Sequence, residues 1–248
     1  MQSTKSAPGA AGSVSLVVGL GEVGRPLLEV LKRAHRVEGV DLPAPDINGS
    51  AEFLHVCYPV EIDDFVGVTV RYVERYRPQV VVIHSTVPVG TTRAVARRVS
   101  VPVVHSPVRG KHARMVEELT QYVKFIGAEQ PAVAGRVKAN FEAAGMKTKV
   151  LPSPEASELA KLTETTYFGL LIAFAQDVNR MAQAAGVSYD DVTSFYEEIG
   201  YLPRVRFFPG VIGGHCVMPN IHLLKRTYQS RLLDGIEWSN ELSKRQDE

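Results

Sequence analysis

Between residues 15 and 105, short apolar runs alternate with segments in which apolar residues return every three or four positions. The runs at 15–18, 37–42, 52–58, 79–84 and 101–105 have the length and β-branched content of buried strands. The segments between them, at 25–34, 62–75 and 90–98, carry the helical period, with Leu27, Leu28 and Leu31 on one face of the first. Strand followed by helix, repeated, predicts a parallel sheet with helices on both faces. Residues 43–50, with two Pro, Asp, Asn and Gly, read as a loop.

The texture changes at Pro154. From there to Ala185 the only further Gly or Pro is Gly169, while Ser153 can cap the start and Gly186 can end the segment, so one long helix is predicted. Its middle, 167–175, is apolar around the whole circumference, which predicts packing on more than one side and a homodimer built on this helix. The stretch is far short of the roughly 20 residues of a membrane span, so no membrane association is expected. Helices are expected at 189–199 and 221–233, flanking a Pro- and Gly-rich loop at 208–220. The expected organisation is a sheet domain at 14–152 and a helical dimerisation or substrate domain at 153–236, with flexible tails at 1–13 and 237–248.

Composition narrows the function. The 28 Lys plus Arg against 27 Asp plus Glu leave no global field for nucleic acid or an anionic membrane, so any anion must be bound locally. Two cysteines, Cys57 and Cys216, make no disulfide framework, and no leader pattern precedes the first strand; both point to a reducing cytoplasm. Cys57, inside a strand, reads as core. His215, His222 and Cys216 lack a fourth ligand at matching spacing, so no metal is expected.

Gly19, Gly21 and Gly24 form G-x-G-x-x-G between a strand and a helix, enclosing Glu22 and Val23. The first glycine permits the tight turn, the second admits a pyrophosphate and the third lets the helix approach the strand. Asp41, 20 residues beyond Gly21, closes the second strand where a carboxylate accepts both ribose hydroxyls and repels a 2′-phosphate. The combination predicts a Rossmann domain that binds NAD rather than NADP, the alternative being another adenosine compound. The tight return from Asp41 to Glu52 predicts that one helix and one strand of the usual Rossmann half are trimmed. Tyr58 and Pro59 end the third strand, and Ser85 and Thr86 follow the fourth; all four fall at the carboxyl edge, where such folds bind ligands. His84 and His105 also close strands there, either bonding backbone or touching cofactor.

Four segments in order carry a family resemblance: Gly19 to Gly24; His84-Ser85-Thr86-Val87-Pro88-Val89-Gly90-Thr91-Thr92; Ser157-Glu158-Leu159-Ala160-Lys161; and Pro209-Gly210-Val211-Ile212-Gly213-Gly214-His215-Cys216. Together they resemble the UDP-glucose/GDP-mannose dehydrogenase family, which oxidises the C6 alcohol of a nucleotide sugar to a carboxylate in two hydride transfers. The resemblance implies Cys216 as covalent nucleophile, Lys161 stabilising oxyanion character, and Thr86 positioning a water or the substrate alcohol. Gly213, Gly214 and His215 would border an anionic, sugar-like substrate.

The chain also departs from the family pattern. Thr165 stands where the family has Asn one turn after the lysine, and Asn220 where it has an acid four residues after the cysteine, preceded by Pro219 instead of Lys. The family's N-P-E-F-L-x-E segment is replaced by residues 106–112, in which Arg109, Lys111 and His112, with Arg114 beyond them, offer an anion site or a solvated surface in place of carboxylates. Family members continue into a second Rossmann-like domain that grips the nucleotide, so part of the substrate site is expected to be missing. Three functions stay open: a nucleotide-sugar dehydrogenase; a two-electron dehydrogenase of the prephenate or hydroxyacid type, which His105-Ser106-Pro107 faintly resembles; and a catalytically silent NAD-binding partner protein.

Overall fold

The computed structural model describes residues 14–41, 50–110, 112–201 and 207–246. The expected loop at 43–50 lies outside them except for Ser50, as do Lys111, the first tail and the last two residues of the second. Two compact units divide the chain, one up to Leu159 and one from Ala160.

The first unit is a seven-stranded sheet. Its strands are β1 (Ser15–Val18), β2 (Val37–Val40), β3 (Phe53–Val56), β4 (Val80–Ile83), β5 (Val103–His105), β6 (Val123–Gly127) and β7 (Lys147–Leu151), in the order β2-β1-β3-β4-β5-β6-β7. The first five are parallel, as the alternation predicts. β6 runs antiparallel to β5 and meets it only through His105 and Gly127. The helices are α1 (Gly24–Leu31), α2 (Phe65–Tyr76), α3 (Thr91–Ala96), α4 (Met115–Gln121) and α5 (Pro131–Ala143). Leu27, Val30, Met115, Leu119, Val137 and Phe141 cover one face of the sheet; Phe65, Val73, Tyr76 and Val95 cover the other. Strands buried on both faces need no polar alternation, which explains the unbroken run VVVI of β4.

α6 (Pro154–Ala185) starts in the first unit and forms the spine of the second, with Ser153 Oγ accepting from Ala156 N at 3.1 Å and Gly186 leaving in the left-handed region. Around it stand α7 (Tyr189–Glu197), α8 (Val217–Lys225) and α9 (Arg231–Gln246). α8 packs closely on Gly169: a Cβ there would sit 2.5 Å from Val217 Cγ1.

Two expectations are corrected here. The helix expected at 221–233 is two helices: α8 begins at Val217, which puts Pro219 and Asn220 in its first turn rather than in the loop, and it stops after Lys225. Thr227 N and Tyr228 N both fold back onto Leu224 O, and Ser230 O starts α9 by accepting from Leu233 N and Asp234 N. The polar tail from Glu237 is helical to Gln246, because its buried side is Ser239, Asn240 and Ser243, not apolar residues. Arg180 Nη2 donates to Ser239 Oγ at 2.7 Å, Arg180 Nη1 to Ser243 Oγ at 3.1 Å, and Asn240 Oδ1 receives Ile212 N at 2.7 Å, which anchors the loop leading to Cys216. A face built from hydrogen bonds leaves no hydrophobic period in the sequence.

Candidate active site

In a sheet of order 2-1-3-4-5 the connections leave β1 in opposite directions, and the carboxyl edge beside β1 and β3 forms a crevice. The glycine-rich turn occupies it. Gly19 has φ +89°, and a Cβ there would lie 2.7 Å from Tyr58 N; a Cβ on Gly24 would lie 1.8 Å from Gly19 O. These two glycines let α1 and the β3 loop close on the turn. Nothing stands within 4 Å of a Cβ on Gly21, so its outer side is open. Val23, the N-cap of α1, offers no side-chain acceptor, while Arg25 N donates to Gly21 O at 3.2 Å and Pro26 has no N–H, so what the helix start offers an external anion is Gly24 N and the partial positive charge of the helix end. Glu22 is exposed and Arg25 Nε donates to Leu20 O at 2.6 Å on the rim. Asp41 directly follows β2, exposed, and Gly19 N donates to Val40 O at 3.1 Å, so the acid and the turn share one edge.

Along the same edge Tyr58 is buried, and its hydroxyl donates to Thr69 Oγ1 at 2.5 Å while Thr69 donates to Phe65 O. The Tyr58 ring is therefore committed to α2; Pro59 beside it is exposed. Ser85 Oγ donates to Tyr58 O at 2.6 Å, and Thr86 is half-buried. The following turn is held by a carboxylate whose role the sequence did not disclose: Glu158, 1% exposed, accepts from Gly90 N (2.6 Å), Thr92 N (2.8 Å) and Thr92 Oγ1 (2.6 Å). Burial pushes its carboxyl above the ordinary range, against the pull of these three donors.

A buried polar row lies behind the edge. His84 Nδ1 is 2.8 Å from Ser106 O, an acceptor, so this nitrogen carries the hydrogen. Its Nε2 is then the acceptor for His55 Nδ1–H at 3.0 Å, and His55 Nε2 is left as a buried lone pair without a partner among the described residues. Lys124 Nζ adds donations to Ser106 O (2.7 Å) and Pro107 O (3.1 Å). Burial, with the Lys124 charge beside it, lowers His55 to about 3 and holds His84 well below the usual imidazole range. Neither His55 nor Lys124 announces itself in sequence: each sits singly inside an apolar strand. Burial also pushes the Cys57 thiol up to about 12, in agreement with a core role.

Of the basic residues expected around the 106–112 segment, the side chains of Arg109 and Arg114 are described, and each has a neighbour of its own. Arg109 lies over the Phe125 ring at 5.7 Å, and Arg114 Nε is 3.1 Å from a Glu117 carboxylate oxygen. The loop also gains a carboxylate from further along the chain, since a Cβ on Gly110 would be 2.1 Å from Glu118 Oε2, and Glu118 is 4% exposed. His112 opens the 3-10 turn His112–Arg114; its side chain is not among the described ones.

In the second unit Cys216 is exposed at the N-cap of α8, after Gly213, Gly214 (φ +76°) and His215, all exposed. Lys161 Nζ is 4.0 Å from Glu164 Oε2. The two residues that depart from the family pattern meet: Asn220 Nδ2 donates to Thr165 Oγ1 at 2.8 Å, and Thr165 Oγ1 donates to Leu162 O at 3.0 Å.

Sheet order, glycine turn and buried edge define a Rossmann-type α/β protein. Residues 155–241 match the model of the UDP-glucose/GDP-mannose dehydrogenase family, central domain. A UDP-N-acetyl-D-mannosamine dehydrogenase of Pyrococcus horikoshii is 29% identical over 228 residues, covering 82% of this chain and 52% of that protein. The solved UDP-D-ManNAc dehydrogenase from Pyrococcus horikoshii superposes with TM-score 0.78 at 21% identity, over 92% of this chain and 68% of that one. A 3-hydroxyisobutyrate dehydrogenase of Mycobacterium tuberculosis shares the fold, with TM-score 0.72 at 15% identity, over 94% and 93%. The family match thus covers the helical part of the chain, residues 155–241, and the chain spans about half the length of the curated relative it matches.

The buried histidines make acid sensitivity testable. Unfolded, His55 and His84 take up protons near pH 6.5; folded, His55 does so only near pH 3 and His84 is also strongly lowered. The unfolded state therefore binds more protons below pH 6.5, so this stability is complete above pH 6.5 and is lost as pH falls toward 3, with a slope of up to about 2.7 kcal/mol per pH unit for two protons. Urea unfolding between pH 4 and 7 measures it. His55→Phe is expected to halve the histidine part of that slope, and an unchanged slope contradicts the assignment.

Proposed function

We propose that this chain is an NAD-dependent oxidoreductase that removes hydride from an alcohol of an anionic, sugar-like substrate, a nucleotide sugar being the first candidate. The observation that carries the reading is the glycine turn in the crevice beside β1 and β3, closed at Gly19 and Gly24 and open at Gly21. That shape fits a dinucleotide: the pyrophosphate lies against the start of α1, and Asp41 accepts the adenosine ribose hydroxyls. NAD, when bound, supplies the hydride acceptor. The segments from Thr86 to Cys216 that carry the resemblance support the substrate class, as does the name of the Pyrococcus horikoshii relative. Tyr167, Phe174 and Met181, more than half exposed along α6, support a homodimer.

A second reading has its own support. In the Asn220–Thr165 pair both groups are neutral, the amide donates, and no carboxylate stands one turn after Cys216. Four-electron oxidation needs Cys216 to give up its proton to the addition step and water to be activated for hydrolysis of the resulting thioester. A single oxidation of alcohol to carbonyl needs neither. The pair favours chemistry that stops after one hydride, or proceeds slowly beyond it.

Calorimetry with both cofactors tests the first reading. NAD is expected to bind at least about tenfold tighter than NADP, a difference of about 1.4 kcal/mol, and Asp41→Ala to narrow the gap; equal affinities in the unmodified protein would remove the basis for it.

NADH released per substrate consumed tests the second. About one is expected for the parent and for Cys216→Ser, and Asn220→Asp is expected to raise the ratio toward two, since a carboxylate beside the thiol can take its proton. A parent that already releases about two per substrate, with Cys216 alkylated in parallel with loss of the second step, selects the four-electron reading.

A further inference from the structure

His84 and His105 stand at the ends of neighbouring strands, and each bonds the residue that follows the other. His84 Nδ1 donates to Ser106 O at 2.8 Å, while His105 Nε2 donates to Ser85 O at 3.1 Å. Both rings are fully buried. The far nitrogen of each is also engaged, His84 Nε2 with His55 Nδ1 at 3.0 Å and His105 Nδ1 with Ser157 Oγ at 3.0 Å, so neither ring can turn without breaking a second bond. β4 and β5 pair only as far as Ile83 and His105, and beyond that the loops would separate. Ser106 N to Ile83 O, at 2.8 Å, is the last backbone bond holding them.

From this geometry we infer that His84 and His105 are positioning residues, a reciprocal clamp that fixes the loop carrying Ser85 and Thr86 against the loop from Ser106 to Arg109 and so shapes the floor beneath the nicotinamide half of the cofactor. The inference rests on the dinucleotide reading above and deepens it. Asp41 and β2 lie on one side of the glycine turn and take the adenosine half; a dinucleotide crossing the crevice must lay its other half over β3, β4 and β5. The clamp extends there: Ser85 Oγ bonds Tyr58 O, so the loops after β3, β4 and β5 form one hydrogen-bonded unit. Neither histidine faces solvent, and each acts through the backbone it holds.

The test compares ligands that differ only in the half the clamp serves. NADH and ADP-ribose are titrated by calorimetry against the parent, His105→Asn, His105→Gln, His84→Leu and His84→Asn, with thermal unfolding recorded for each. Asn at 84 places an N–H where Nδ1 was, and Gln at 105 places one where Nε2 was. The expected result is a tenfold or greater loss of NADH affinity in His105→Asn and His84→Leu, recovery to within about threefold in His105→Gln and His84→Asn, and ADP-ribose affinity unchanged throughout. If His105→Asn does not fold, Ser157→Ala releases only the second bond of the ring and is expected to give the same selective loss. Equal losses for both ligands, losses that follow melting temperature alone, or unchanged NADH affinity in all variants overturn the clamp. A parent that binds neither ligand overturns the dinucleotide reading itself, and the clamp with it.

Discussion

The approach of Gly24 to the Gly19 carbonyl is the contact on which the candidate site depends. With 1.8 Å between that oxygen and the position a Cβ would take, the helix start can sit over the strand end only because residue 24 has no side chain. Any larger residue would push α1 outward, move its positive N-terminal end away from the crevice and loosen Leu27 and Leu31 from the sheet. Local backbone chemistry, core packing and the anion-binding potential of the edge are thus set by one contact. Gly19, in the left-handed region and against Tyr58 N, extends the same constraint to the β3 loop.

Around that turn the edge is made rigid by buried polar side chains. Ser85, His84, His105, Lys124 and Glu158 each make at least one hydrogen bond to the backbone of a loop at a strand end. Such groups are costly to bury unless satisfied, and satisfied they specify one arrangement. A loop that must hold a ligand gains from that arrangement, since binding then does not have to order the backbone. The second unit follows the same rule with Asn240 and Arg180, which fasten α9 and the Cys216 loop to neighbouring elements.

Where local signals were strong, the sequence was informative. β1, the glycine turn, the start of α1 and the full span of α6 follow from apolar runs, glycine spacing and the Ser153 and Gly186 signals. Residues 115–151 gave no expectation, although they hold α4, β6, α5 and β7; β7 alternates weakly because it is largely exposed, and β6 reverses direction, which no pattern encodes. The second half of α9 escaped because beyond Leu233 and Ile236 its buried residues are Ser239, Asn240 and Ser243. The histidine clamp could not be read at all: its partners are 20 or more residues apart, and only the fold brings them together. The Asn220–Thr165 contact is intermediate, since both departures from the family were visible while their pairing was not.

A crystal structure grown with NADH tests the central claim most directly. The pyrophosphate is expected over Gly21 at the N-terminal end of α1, the adenosine ribose on Asp41, and the nicotinamide over the loops joined by His84 and His105. A dinucleotide found elsewhere, or a crevice still empty with NADH at saturating concentration, would contradict it.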